Sequence, residues 1–383
     1  MPLQKEFNIL LQSIRLDDQA DAAKKAEEII RFGDVNWAGL YDSAKAHNVR
    51  PQLAQLMNRI TPELVPEEFR ETVNDFYRQN LSLQLRNVSE FFRVKEILDN
   101  EGIAAVPFKG FSLAYTFYES LADREGTDVD LFIDFTDFDR VLDLLINNGY
   151  RPETSDSPSF IKRIKKESAE FNFRRFEGNE KVFHVEFHWK LGSSAHGMNI
   201  SFADLEEQVA RGSLLDKDID LFSPSAALLL AVMHHGGKDP FIWLKHVSDI
   251  GYIMKKNDAI EWNWVVRMAR RYDVEKLLYM ALRVASVMTG VHVSEELKAA
   301  VESPAVIKLG DGRMRMMAVD PQQWNDKRYK FRNLLFHLRS RTGMKVRTAM
   351  LWQSCRSSMV SALAPKKLLS IYMKKRYDID RQA

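Results

Sequence analysis

VPFKGFSLAYTFYESLADREGTDVDLFID, residues 106–134, decides how this 383-residue chain is read. It opens on the end of an apolar run, turns at Lys109-Gly110, passes through a helix-like segment at 110–118 and closes on an apolar strand at 127–134. That strand carries Asp128 and Asp130. Side chains alternate along a strand, so both carboxylates share one face while Val129 and Leu131 point the other way, into a core. Two acids held side by side repel. A bound divalent cation is the common reason to keep them together, and hard oxygen ligands suit Mg²⁺. An Asp-x-Asp pair alone is a weak signal, most often a solvated strand edge. The Lys-Gly turn before it and the apolar strand around it strengthen the signal here.

Upstream, residues 1–101 read as helical. Segment 20–32 alternates charge with Ala and Ile at helical spacing; Trp37, Leu40, Ala44 and Val49 make a further stripe, and Pro51 opens the next helix. Segment 69–100 is a long amphipathic stretch with Val73, Phe76, Leu81, Leu85, Val88 and Phe91 among its apolar positions, closed by Glu101-Gly102. Residues 103–108 read as a buried strand.

Downstream, 136–147 is an amphipathic helix ended by Asn148-Gly149, and 151–158 is a turn-rich loop. Segments 170–176 and 181–189 read as strands joined by a hairpin turn at Glu177-Gly178-Asn179. In KVFHVEFHW, residues 181–189, His184, Glu186 and His188 share one face and Phe183, Val185 and Phe187 the other. From Phe202 onward the chain reads as mostly helical. A helix at 224–235, capped by Ser223 beside Pro224, is interrupted by HHGGKDP at 234–240, and further helices follow at 241–255, 262–272 and 275–289. Residues 303–325 lack clear periodicity.

The expected fold is α+β: a small mixed β-sheet core flanked by N-terminal and C-terminal helical regions. The expected divisions are 1–101 helical, 102–200 catalytic core, 201–302 helical domain and 303–383 a basic, mostly helical tail broken at Pro365.

Composition is that of a globular protein, 45% hydrophobic and 28% charged, with no apolar run long enough for a transmembrane segment. The first residues lack the pattern of a secretory signal. Cys355 is the sole cysteine, which excludes an intrachain disulfide and a cysteine-rich metal site and points to the cytoplasm. Residues 326–383 hold 15 Lys and Arg against 3 Asp and Glu, a local balance of +12. With a net charge of +2 for the chain, the remainder carries −10. A basic tail on an acidic body predicts an anionic partner, either nucleic acid, an anionic membrane surface (LLSIYMKKR mixes apolar and basic residues) or the body itself.

Several of these segments together resemble a known family. Lys109-Gly110, Arg124-x-x-x-Asp128-x-Asp130-Leu131, Asn148-Gly149-Tyr150 and Glu186-x-His188-Trp189 are similar to the uncharacterised nucleotidyltransferase family of the DNA polymerase β-like superfamily. Trp37, Ala44, His47 and Val49 resemble its N-terminal helical portion; His235, Trp243 and Asp249 resemble its C-terminal one. The similarity spans roughly residues 35–255. It implies transfer of an NMP from an NTP to an acceptor hydroxyl, the acceptor being unidentified, with two Mg²⁺ ions, or Mn²⁺, as cofactor. Two-metal chemistry needs about three carboxylates on adjacent strands. Asp128 and Asp130 supply two, and Glu186 is the candidate third, both metal ligand and catalytic base. Gly110 would let the backbone approach the triphosphate, and Lys109 would meet it as a point charge. Ser112 lies within range of the same turn, Arg124 would bind triphosphate or orient Asp128, and His235 would contact the base or support the site.

Bland readings stand beside these. Glu186 and Arg124 fit simple ion pairs, Lys109 fits a surface lysine, and Trp189 and Trp243 fit core packing. The alternating histidines of 184–188 invite a zinc reading, but no cysteine supports it and Mg²⁺ accounts better for the acids. The competing function is a non-catalytic nucleotide- or nucleic-acid-binding module on the same fold.

Overall fold

The computed structural model describes residues 4–154, 157–178, 180–191, 197–237, 240–319 and 326–363. The fold is α+β. Its main sheet has five strands, β1 (Ala105–Pro107), β2 (Val129–Ile133), β3 (Tyr150–Pro152), β4 (Glu170–Glu177) and β5 (Glu180–His188), in the order β1-β2-β5-β4-β3. β2 runs parallel to β5 and antiparallel to β1, while β5, β4 and β3 form an antiparallel run. The connection between the parallel strands carries the helix Phe138–Asn147, as parallel pairing requires a crossover.

β2 is buried on both faces, and the two faces serve two cores. Val129, Leu131 and Ile133 pack with Phe171, Phe173 and Val185 and with Val88, Phe91 and Val94 of the long helix Glu67–Asp99. Phe132 looks the other way. It joins Val106 and Phe108 in a core that takes Leu10, Leu40 and Leu53 from the N-terminal helices and Leu228, Ile250 and Leu282 from later ones. The helical regions before and after the sheet therefore close over one face, the face on which Asp130 lies two residues from Phe132.

Five sequence expectations are corrected. Residues 209–222 are not helical: Val209–Leu214 and Lys217–Phe222 form a two-stranded hairpin, turning on Leu215 and Asp216, both at positive φ. Such turns are usually marked by Asn-Gly or Asp-Gly, and this one is not. The loop at 151–158 gives way to β3 and to a helix, Pro158–Glu167. The stretch 303–325 contains a helix, Pro304–Met317, with Pro304 in the first turn, where its missing N–H has no cost. Gly310 and Gly312 blur its pattern, but Val306, Leu309, Met316 and Met317 are buried on one side.

The helix Pro224–Gly237 runs through the segment expected to break it. A Cβ at Gly236 would stand 2.6 Å from the Leu277 side chain, so this glycine permits close helix packing rather than a stop. Asn179, residues 238–239, Pro365 and the LLSIYMKKR segment lie outside the described residues.

The long helix departs from its expected stripe. Leu85 is exposed, whereas Asn80, Gln84, Asn87 and Glu90 are buried, spaced to share one face. Its Asn80 and Gln84 meet a single helical turn, Leu121–Asp123, and the loop after it, whose carbonyls need donors, while Glu90 pairs with Arg175 and Tyr150. Asn80 Nδ2 donates to the carbonyls of Ala122 and Arg124 at 2.8 and 3.1 Å, and Gln84 Nε2 to that of Gly126 at 2.7 Å. Gln52 Nε2 reaches the Asp123 carbonyl at 2.8 Å from a second helix, Arg50–Arg59. Replacing Asn80 by Leu strands two buried acceptors, and the expected loss is about 1–3 kcal/mol of unfolding free energy, read as a lower urea midpoint at unchanged slope.

Candidate active site

The site is built where β2 and β5 run side by side. Their register sets Asp130 directly opposite Glu186, with Val129 opposite Val185 and Phe132 opposite His188. Asp128 stands one residue before β2 and, by alternation, on the Asp130 face. The structure thus brings Asp128, Asp130 and Glu186 to one face, although they come from two separate points in the chain.

Lys109 reaches the same place from the turn after β1. Its Nζ lies 2.7 Å from Asp130 Oδ1 and 3.2 Å from His234 Nε2. Gly110 follows at φ +52, in the left-handed region, and a Cβ there would stand 2.9 Å from the Asp128 carbonyl oxygen. Both facts restrict this position to glycine. The helix Gly110–Phe117 starts against the aspartate pair. The Ser112 hydroxyl is buried and donates to the Pro107 carbonyl at 3.1 Å, tying the turn to β1.

Histidines complete the cluster. His188 is 1% exposed; its Nε2 lies 3.2 Å from Asp130 Oδ1 and 3.3 Å from Glu186 Oε2, and its Nδ1 lies 3.4 Å from Glu170 Oε2. His184 Nε2 lies 3.2 Å from Glu153 Oε2 and 3.8 Å from Glu186 Oε1. Two overlapping groups, Asp128 with His184 and Glu186, and Asp130 with Glu186 and His188, place their ligand atoms within 4.8 Å of one another. Glu186 belongs to both.

The electrostatics follow from burial and crowding. Burial, then Asp130 and Glu186, push the Asp128 carboxyl up to about 6. Asp130 moves the other way: burial pushes it up, but the Lys109 ammonium and the His188 hydrogen bond outweigh burial and hold it well below the usual carboxylate range. Burial pulls the Lys109 ammonium down, and the carboxylates of Asp130, Glu186, Asp128 and Glu170 more than restore it. Burial also disfavours the charged imidazoles of His184 and His188, yet the carboxylates beside each leave both raised.

Arg124 and His235 stand behind the turn. Arg124 is buried and meets Asp249 rather than Asp128, with Nε to Oδ1 at 2.7 Å and Nη2 to Oδ2 at 2.9 Å; its Nη1 donates to the Gly110 carbonyl at 3.2 Å. Asp249 also accepts from the Tyr118 hydroxyl at 2.7 Å and lies 3.0 Å from His235 Nε2. His235 stacks on His246, ring centroids 4.0 Å apart, and burial lowers its pKa. This network fixes the turn to the helices Pro224–Gly237 and Leu244–Met254. Trp189 packs in the core against Phe138, with centroids 5.0 Å apart.

Sequence reasoning left out three neighbours, Glu170, Glu153 and His234. The alternation in β5 pointed to His184 and His188 without fixing their role. Glu170 was findable only through the register of β4, which sets it opposite His188. Glu153 and His234 carried no signal, one lying in a presumed loop and the other in a presumed helix break.

A family model described as uncharacterised nucleotidyltransferase matches residues 33–290, and the chain belongs to that family. No curated protein matches the chain. Asp128 generates a prediction that needs neither metal nor substrate. Its folded pKa, about 6, lies above the ordinary 3.8, so its contribution to stability is fully present below pH 4 and is lost as pH rises through 6. With chelator present, Asp128→Asn is expected to be more stable than the parent at about pH 8, by on the order of 1–3 kcal/mol, and no more stable at about pH 4. Paired denaturant melts at the two pH values check this.

Proposed function

We propose that this member of the uncharacterised nucleotidyltransferase family moves an NMP from an NTP to an acceptor hydroxyl, using a divalent cation held by Asp128, Asp130 and Glu186. The observation that carries this reading is the register of β2 on β5, which stacks Glu186 against Asp130 beside the Lys109-Gly110 turn. The donor set fits a divalent cation: carboxylate oxygens from three residues, with imidazole nitrogens of His184 and His188 within the same short span. Mg²⁺ and Mn²⁺ both suit such oxygen-rich sites, and the shared Glu186 supports two ions. When bound, the metal supplies positive charge that stabilises the phosphoryl oxygens and lowers the pKa of the acceptor hydroxyl.

The chain's own residues do the rest. Lys109 meets a phosphate oxygen of the triphosphate, and Gly110, lacking a side chain, lets that phosphate approach the backbone. Ser112 and Arg124 hold the turn in place, Ser112 through Pro107 and Arg124 through the Gly110 carbonyl. His235 acts at one remove, by positioning Asp249. Glu186 takes the proton of the acceptor hydroxyl. The acceptor oxygen then bonds to the α-phosphorus, the bond from that phosphorus to the bridging oxygen breaks, and pyrophosphate leaves with the electron pair. The acceptor is a protein, an RNA or a small molecule, in a cytoplasm that the sole, exposed cysteine favours.

One observation favours a second reading, nucleotide binding without turnover. The Lys109 ammonium already neutralises Asp130, so part of the role of a metal is met internally. Labelled α-phosphate from each NTP, offered with Mg²⁺ or Mn²⁺ and pools of RNA, protein and small molecules, separates the two. Transfer is expected, abolished by Asp128→Ala with Asp130→Ala and slowed about 10²–10⁴-fold by Glu186→Gln. Transfer retained in the double aspartate variant refutes the site. NTP binding in chelator with no product in any pool selects the second reading.

A further inference from the structure

A second charged feature lies almost wholly outside the family match. A cavity of about 540 Å³ opens between the helices Pro304–Met317 and Lys327–Ser340. Its wall carries Lys276, Lys308, Arg313, Arg315, Arg332 and Arg339, and no acid is among its described lining residues. Among the described residues none of these six makes a salt bridge, whereas the buried Arg124 and the half-buried Arg50 and Lys109 each do. Its floor is apolar, from Leu309, Met316 and Phe336.

Arg313 shows that the cavity is built for charge. It is 3% exposed, its Nη1 donates to Asn333 Oδ1 at 2.9 Å, and its guanidinium sits 4.1 Å from the Phe336 ring centroid. Its Nε is buried with no partner. Burial pulls its pKa down to about 10, which leaves it charged at neutral pH. A buried guanidinium with an unmet donor is costly unless an anion completes it. Crowding tells the same story at Lys276, which burial, then Arg347 and Arg339, hold below the ordinary lysine value.

We propose that this cavity binds a small ligand carrying two or more linked phosphates, seated on Arg313 above the floor formed by Leu309, Met316 and Phe336. Six cations exceed what one phosphate needs, which selects linked phosphates. The volume lies within the roughly 300–1,000 Å³ of small-ligand pockets, whereas a nucleic-acid strand is tracked by a longer groove. Nucleoside triphosphates and inorganic polyphosphate share the required chemistry. The site is independent of the β2–β5 cluster.

The test is calorimetry in chelator on the full-length Lys109→Met, Asp130→Asn double variant, which disables the sheet site, with tripolyphosphate, ATP and an RNA oligonucleotide as separate titrants. Saturable binding of tripolyphosphate that weakens with salt is expected, and at least tenfold loss on adding Arg313→Met. Arg313→Met removes an unpaired buried charge and is expected to fold; Lys308→Gln with Arg339→Gln, both at the exposed rim, tests the same loss independently. ATP binding tenfold tighter than tripolyphosphate assigns the nucleotide as occupant, and equal affinity assigns free polyphosphate. No saturation with either small ligand, binding that ignores all cavity variants, or binding of RNA alone overturns the proposal.

Discussion

Like charge held out of water governs this structure. Asp130 and Glu186 face each other across two neighbouring strands, Asp128 is close by, and the sheet lies inside the protein. Carboxylates so placed cannot all stay ionised without compensation, because burial weakens solvation and strengthens their mutual repulsion. The compensation is local. Lys109 and His188 both contact Asp130 Oδ1, and His184 and His188 flank Glu186 along β5. Asp128, with no contacting cation among the described residues, is raised to about 6 by burial and by Asp130 and Glu186.

Holding Lys109 on Asp130 demands a rigid turn, and both helical regions supply the rigidity. Arg124 grips the Gly110 carbonyl with one nitrogen and Asp249 with two others, so a helix over 130 residues further along the chain fixes the turn. Arg124 is itself carried by a loop whose carbonyls are held by Asn80, Gln84 and Gln52 from the N-terminal helices. Arg50 pairs with Glu125 from the same side and lies 3.6 Å from the Phe76 ring centroid. Here the buried polar residues of the long helix find their purpose. Asn80 and Gln84 satisfy carbonyls between Ala122 and Gly126 that no strand ladder pairs, where apolar residues would leave them bare, and Glu90 pairs with Arg175 and Tyr150.

The sequence disclosed what periodicity and local chemistry encode. The strand with Asp128 and Asp130, the strand with Glu186 and the glycine turn were legible because alternation and a positive φ are written in single residues. What was not legible depends on partners far along the chain. Nothing in Asn80 or Gln84 announces a buried loop 42 residues away. Arg124 showed a forked donor without showing that Asp249 would take it. Gly236 looked like a stop because the missing space filled by Leu277 is a tertiary fact. The hairpin at 209–222 went unread because two ordinary residues, Leu215 and Asp216, adopt backbone angles that glycine or asparagine would have advertised.

Asp128, Asp130, Glu186, Glu170 and Glu153 bring five carboxylates to the cluster, against the cations Lys109 and Arg174 and the imidazoles of His184 and His188. Even with both imidazoles protonated, the cluster has no surplus of positive charge. A triphosphate is itself strongly anionic. Arriving alone it would meet a cluster with no surplus of positive charge among the described residues, since the Lys109 ammonium is already paired with Asp130. Arriving with divalent metal it brings the missing charge to the carboxylates arranged to receive it. The excess of acid over fixed base is what a metal-bound nucleotide requires, and metal-free nucleotide capture would call for the reverse. On that count the proposed transferase reading is the better fit to this cluster, in which Lys109 offsets the charge of Asp130 while no ion is bound.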